Sequence, residues 1–168
     1  MTQLKPNLAE RMRPKYIADI IGQEHLTEPD KIIGRIVKAQ RPTSLLLYAR
    51  PGVGKTSIAN ALAKDVGMDF EQVNASVDNK DKLKKITTKA EKEPIVMLLD
   101  EIHRLTKPLQ DHLLPYMEKG HVTVIGATTE NPYINVNPAL RSRMTILQLN
   151  TVDFESMKKL IKKAVSFL

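Results

Sequence analysis

The feature that most constrains this chain is the run Ala49-Arg50-Pro51-Gly52-Val53-Gly54-Lys55-Thr56, set between an apolar stretch at 44–48 and a helix-like stretch at 56–66. A glycine-rich turn that leaves a buried strand and opens a helix points successive backbone N–H groups into one concavity. The helix N-terminus adds positive potential there. Phosphate oxygens are what such a concavity holds. Lys55 would reach the terminal phosphates and the Thr56 hydroxyl would hold Mg²⁺. Pro51, Gly52, Val53, Gly54 and Ser57 complete the stretch expected to wrap a nucleotide. The first glycine of the usual G-x4-G-K-[ST] pattern is replaced by Ala49.

Four further apolar runs, at 70–74, 95–99, 122–126 and 145–149, read as strands, and 30–40, 80–92 and 108–118 read as helices. Thr106 is expected to cap the last of these, with Pro108 in its first turn. Strands alternating with helices predict a parallel sheet covered on both faces. The 168 residues suffice for one domain, and with no Trp its core must be built mainly from Leu, Ile, Val and Met. The absence of cysteine excludes disulfides and Cys-ligated zinc. No apolar run approaches a membrane span and the N-terminus has no secretory apolar segment, so a soluble, cytoplasmic protein is expected.

Up to Ala18 the chain is polar and contains Pro6 and Pro14, which predicts an irregular arm. At the other end, Phe154, Met157, Leu160, Ile161, Ala164, Val165 and Leu168 recur at helical spacing opposite Lys158, Lys159, Lys162 and Lys163. Such a helix needs a partner surface, either the sheet domain or a region outside this chain. The balance of 26 Lys and Arg against 19 Asp and Glu, a net charge of +7, favours a polyanionic partner. A solvated surface with surplus lysine reads the same numbers. The segment 80–92, with six lysines against two acids, carries the same two readings, nucleic-acid contact or a solvated helix face.

Three more patterns point to phosphoryl chemistry. The apolar run at 95–99 ends in Asp100 and Glu101, and ligands of open α/β sheets sit at strand ends. Asp100 would hold Mg²⁺ through water, and Glu101 would polarise an attacking water. The string Asp100-Glu101-Ile102-His103 also matches the D-E-x-H box of some helicases, but those enzymes need a second motor domain. The run at 122–126 leads to Thr128 and Thr129, whose hydroxyls could touch the γ-phosphate or merely cap backbone groups. Arg141 and Arg143 then precede the last strand, and arginine is suited to neutralise charge on a transferring phosphoryl group.

In this order the elements resemble the AAA+ ATPase core, and more closely the replication-associated recombination protein A family, whose eukaryotic relatives are the Werner-helicase-interacting proteins. The resemblance is carried by Leu8-Ala9-Glu10-Arg11-Met12-Arg13-Pro14-Lys15, by Ile20-Ile21-Gly22-Gln23-Glu24-His25-Leu26 and by Leu99-Asp100-Glu101-Ile102-His103-Arg104. It continues through Gln110-Asp111-His112-Leu113-Leu114-Pro115, Ile125-Gly126-Ala127-Thr128-Thr129-Glu130-Asn131-Pro132 and Asn137-Pro138-Ala139-Leu140-Arg141-Ser142-Arg143. The related clamp-loader and branch-migration motors share the layout but fit these strings less well.

The resemblance implies an α/β, P-loop NTPase (AAA+) three-layer sandwich with a five-stranded parallel sheet. It divides the chain into an N-terminal arm (1–28), the ATPase core (29–150) and the first helix of a truncated helical lid (151–168). It implies ATP and Mg²⁺, with an adenine pocket formed by Arg13, Pro14, Ile21 and Gly22 and their neighbours up to Gln23. Thr129, ahead of Thr128, becomes the residue that senses the γ-phosphate. Arg143, ahead of Arg141, becomes a finger acting on ATP bound to a neighbouring subunit. Family members act at stalled or damaged replication forks, are nucleoid-associated, bind DNA ends and single-stranded-DNA-binding protein, and form homotetramers. This short chain alone is expected to be monomeric. The family usually has Gly-Pro-Pro-Gly where this chain has Ala49-Arg50-Pro51-Gly52. With most of the lid and the tetramerisation region outside the chain, weak hydrolysis by the isolated chain is expected. Two other functions fit the same residues: an ATP-gated recruitment module with little turnover, and the core of a clamp-loader-like or Holliday-junction branch-migration motor.

Overall fold

The longest apolar runs become the centre of the sheet. In the computed structural model, which describes residues 7–78 and 80–168, five strands form: β1 (Leu45–Tyr48), β2 (Asp69–Asn74), β3 (Ile95–Asp100), β4 (Val122–Thr128) and β5 (Thr145–Gln148). All pair in parallel, in the order β2-β3-β4-β1-β5. β4 is buried along its whole length and β3 as far as Leu99, whereas the edge strands β2 and β5 are largely open. Cover on both faces is why the central strands show no polar alternation.

Nine helices surround the sheet among the described residues: α1 (Leu8–Met12), α2 (Glu24–Thr27), α3 (Ile32–Ala39), α4 (Lys55–Asp65), α5 (Lys80–Lys92), α6 (Lys107–Glu118), α7 (Pro132–Asn135), α8 (Pro138–Arg141) and α9 (Phe154–Ser166). Single 3-10 turns form at Ile17–Asp19 and Ile102–Arg104. Because side chains alternate along a strand, the sheet makes two cores. Leu45, Leu47, Val96, Leu98 and Ile125 pack with Ile33, Ile58 and Leu62 of α3 and α4. Leu46, Met97, Leu99, Val122 and Val124 pack with Leu83, Ile86 and Leu113 of α5 and α6. Each such Leu or Ile contributes roughly 1.5–3 kcal/mol by leaving water, so the sheet and its flanking helices anchor the loops at the strand ends. Gly34 lets α3 lie directly on the preceding turn: a Cβ there would stand 1.9 Å from the Glu28 carbonyl oxygen.

Two expectations need correction. The arm is not irregular where it is described. Asn7 Oδ1 accepts the Glu10 N–H (2.9 Å) and so starts α1, and the Ile17 N–H donates to the Asp65 carboxylate (2.7 Å) with Ile17 buried beneath. The first six residues of the expected 1–28 arm, with Pro6, lie outside the described residues. Thr106 does occupy the N-cap position of α6, but its hydroxyl makes no cap bond. Pro108 stands at the second helical position and has no N–H to offer it. The last helix, α9, is partnered on one side only. The Arg11 guanidinium donates to the Phe167 carbonyl and stacks on its ring (5.6 Å), and Ser156 is buried close to Gly22. Phe154, Met157, Ile161, Val165 and Leu168 of the apolar stripe remain exposed. No helix among the described residues is long and apolar enough to cross a membrane.

Candidate active site

β1, β3 and β4 all end on the same side of the sheet, and the loops leaving their ends build one cleft. After β1 the chain turns through Gly52 (φ 80°) and Gly54 (φ 99°), both in the left-handed region that favours glycine, and α4 begins at Lys55. A Cβ at either glycine would meet nothing within 4 Å, so the requirement for glycine is conformational and the loop faces open space. Lys55 Nζ donates to the Ala49 carbonyl (2.9 Å) and reaches the Thr128 carbonyl (3.5 Å). Burial pushes its ammonium below the usual lysine range, while the nearby Asp100 pulls the other way.

β3 delivers the two acids. Asp100 Oδ1 accepts the Glu101 N–H (3.0 Å), and Glu101 itself sits at φ 52°, a left-handed position rare for a side chain of its kind. That turn swings the Glu101 carboxylate toward β2, where the Ser76 hydroxyl donates to it. Ser76 is held in turn by Asn74, whose Oδ1 accepts the Ser76 N–H (2.9 Å). Asp78 accepts the Asn74 N–H (2.8 Å) and pairs with Lys82 (3.0 Å). The backbone bond and Lys82 hold the Asp78 carboxyl below its ordinary range. β4 delivers Thr128, fully buried, and Thr129, which is exposed.

The resulting cleft, about 440 Å³, gathers Pro51, Gly52, Gly54, Lys55, Thr56, Ser57, Asp100, Glu101 and Thr129, with Thr128 added. Val53 turns away from it, packing against the core and lining a neighbouring hollow with Tyr48, Ala49, Arg50 and Asn150. Arg13, Pro14, Ile21 and Gly22 are not among the lining residues of the cleft. Ile21 lines a separate apolar hollow with Ile17, Ile20 and Val37. Gln23, buried in the same segment, locks the arm onto the core: its Nε2 donates to the Asn150 carbonyl (2.8 Å) and its Oε1 accepts the Asn150 N–H (2.9 Å).

The two arginines lie apart from the cleft. Arg141 donates through Nη1 to the carbonyls of Tyr133 (2.9 Å), Val136 (3.2 Å) and Pro132 (3.4 Å), closing the end of α7, and stacks over the Tyr133 ring. Arg143 donates through Nε to Glu118 (2.9 Å), adds an ion pair from Nη2, and gives Nη1 to the Ala139 carbonyl (2.8 Å). Asn74, Ser76 and the contact of His103 with Thr128 (2.9 Å) are features that spacing along the chain did not disclose. Only the pairing of β2 with β3, and of β3 with β4, brings them to the acids and hydroxyls.

The cleft fits a nucleotide's phosphates and a hard cation. It offers a left-handed glycine loop at a helix N-terminus and a lysine for the phosphates, and oxygen ligands for the cation in the hydroxyl of Thr56 and the carboxylate of Asp100, with Glu101 beside them. The model of the ATPase family associated with various cellular activities matches residues 45–151, which hold every member of this cleft. Replication-associated recombination protein A of Bacillus subtilis is 47% identical over 96% of this chain, and that of Escherichia coli K12 34% identical over 94%. The chain spans only 38% and 36% of those two proteins. Among solved structures, the Holliday junction branch migration motor RuvB of Thermotoga maritima superposes with a TM-score of 0.78 at 28% identity, over 93% of this chain and 54% of its own. The cleft and these likenesses agree: the chain belongs to the AAA family of ATPases, and within it is of the replication-associated recombination protein A kind.

Proposed function

We propose that this chain is the ATP-hydrolysing core of a protein that maintains replication forks through DNA recombination and repair. The observation that carries the reading is the convergence of Lys55, Thr56, Asp100, Glu101 and Thr129 on one cleft at the strand ends. Lys55 leaves its loop carbonyl for the terminal phosphates, where its charge is most needed. Thr56 and Asp100 would hold Mg²⁺, whose part when bound is to neutralise phosphate charge. Glu101 accepts a proton from the water that attacks the γ-phosphorus, as the bond to the departing ADP oxygen breaks. Thr129, free of any partner in the described hydrogen-bond network, orients that water or the γ-phosphate.

Arg143 acts on the cleft of a second copy. It lies outside its own cleft, and a single exposed carboxylate holds its Nε and Nη2, a contact that costs little to release. Arg13, Pro14, Ile21 and Gly22 serve the adenine side, and residues 151–168 begin a lid. The link to DNA rests on the names of the relatives and on the net charge of +7. The branch-migration alternative is favoured less, since identity to RuvB is 28% against 47% to the recombination protein. The test mixes two inactive variants, Lys55→Ala and Arg143→Ala. Recovery of Mg-dependent ATP hydrolysis on mixing is expected, because each supplies what the other lacks. Full activity of Arg143→Ala alone at every protein concentration would remove the trans assignment.

A further inference from the structure

His103 and Thr128 are 25 residues apart in the chain, yet the imidazole Nδ1 lies 2.9 Å from the Thr128 Oγ1. His103 belongs to the 3-10 turn that starts directly after Glu101, and its side chain is only 9% exposed. Thr128 is the last residue of β4, directly before Thr129. Its hydroxyl oxygen also accepts the Glu130 N–H (3.0 Å), so one oxygen organises the whole turn that presents Thr129. The far side of the ring, Nε2, faces the Glu130 carboxylate at 3.8 Å. The Thr128 hydroxyl also reaches the Glu130 carbonyl (3.3 Å), so ring, hydroxyl and turn backbone are tied through one oxygen. Beneath the ring, Ile102 packs on the bare backbone of Gly126: a Cβ there would stand 2.7 Å from Ile102 Cδ1. Both contacts clamp the turn carrying Glu101 to the strand end carrying Thr129. His103 is absent from the cleft lining, so it does this without touching the nucleotide.

We propose that His103 is a positioning residue for hydrolysis, fixing the separation between Glu101 and Thr129. The proposal rests on the reading of the cleft as an ATP-hydrolysing site. A ring that merely filled space could be replaced by any side chain of similar size. A positioning ring needs a hydrogen-bonding group at Nδ1 to meet the Thr128 hydroxyl, which asparagine can supply and leucine cannot. Displacement of a reacting group by about 1 Å can cost on the order of 10²-fold in rate. His103→Ala and Thr128→Val are therefore expected to lower the single-turnover rate of ATP hydrolysis at least roughly tenfold while leaving ATP affinity within about twofold. His103→Asn should recover most of the rate and His103→Leu should not. The double variant His103→Ala/Thr128→Val should be no slower than the slower single, since both cut the same tie. Amide hydrogen exchange at Thr129 and Glu130, measured without nucleotide, should quicken in His103→Ala with the melting temperature held near that of the parent.

A His103→Leu protein as fast as His103→Asn, or exchange at Thr129 and Glu130 unchanged in His103→Ala, would overturn the proposal. Unchanged hydrolysis in Glu101→Gln would instead overturn the base assignment. In that case the exchange measurement, which needs no turnover, still decides whether His103 holds the strand end.

Discussion

The phosphate cleft and the arginine edge hold their charged groups in opposite ways. In the cleft, Lys55 rests on the carbonyls of Ala49 and Thr128 and Glu101 on a single serine hydroxyl. At the edge, Arg141 is bound to three carbonyls and Arg143 to Glu118 and a fourth carbonyl. The two arginines, alike in sequence and two residues apart, are therefore not equivalent. Arg141 is built into the end of α7, and freeing it would strand backbone acceptors. Arg143 is held by an exposed acid, the kind of partner that a more negative ligand displaces. The difference teaches that the group able to leave, and so to act elsewhere, is Arg143.

Breaking this comparison is straightforward. Arg143→Ala should lower hydrolysis by the assembled protein by about 10³-fold or more, the scale of an arginine finger, with the melting temperature unchanged. Steady-state turnover paired with thermal denaturation checks it. Arg141→Ala should do the reverse. Turnover per folded molecule should persist, and stability should fall on the order of 1–2 kcal/mol in urea denaturation as hydrogen bonds to carbonyls are lost. If both arginines lower turnover and neither lowers stability, the distinction drawn between them is wrong.

A third prediction extends the contrast to α5. Lys80, Lys82, Lys84, Lys85, Lys89 and Lys92 are all exposed, while Leu83, Ile86 and Ala90 seat the helix on the core. Changing Lys82, Lys84 and Lys85 to Ala should weaken binding to single-stranded DNA. It should also flatten the salt dependence by up to about two in log–log slope, about 0.7 per lost phosphate contact. An unchanged slope would leave these lysines as a solvated face. Glu118→Gln should have a smaller effect, below about 1 kcal/mol on stability with turnover retained, since exposed ion pairs contribute little.

The smallest effect concerns α9. Its cap, Asp153, accepts the Ser156 N–H (2.7 Å), and this bond above all holds the carboxyl below its ordinary value. A depressed acid stabilises the fold fully above its unfolded pKa and loses that contribution as pH falls through the folded one. Helicity of α9 should thus hold at mildly acidic pH and decline below the usual carboxylate range. Asp153→Asn should show less of that decline by circular dichroism.

Much of this architecture was legible in the residues. β3 and β4 announce themselves as unbroken apolar runs because both faces are covered, and each extends only a residue or two beyond its apolar run, to Asp100 and Thr128. The cleft was legible too, because a glycine loop, a lysine and two acids are contiguous strings. What escaped depends on neighbours distant in the chain. The arm looked irregular because its order comes from Asn7, Asp65 and Phe167 rather than from apolar periodicity. Asn74, Ser76 and His103 carry no motif by themselves, and they gain a role only once β2, β3 and β4 lie side by side. Thr106 does stand at the cap position, but whether its hydroxyl turns toward the helix's free N–H groups is not written in the residue type.

The central claim is that this cleft binds ATP and turns it over through Glu101. Replacing Glu101 by Gln keeps the shape and removes the proton acceptor, so ATP binding and single-turnover hydrolysis of the two proteins decide the matter. The account predicts ATP affinity within about threefold of the parent and hydrolysis slowed at least about 10²-fold, the usual scale for losing a catalytic base. Hydrolysis at the parent's rate would contradict it.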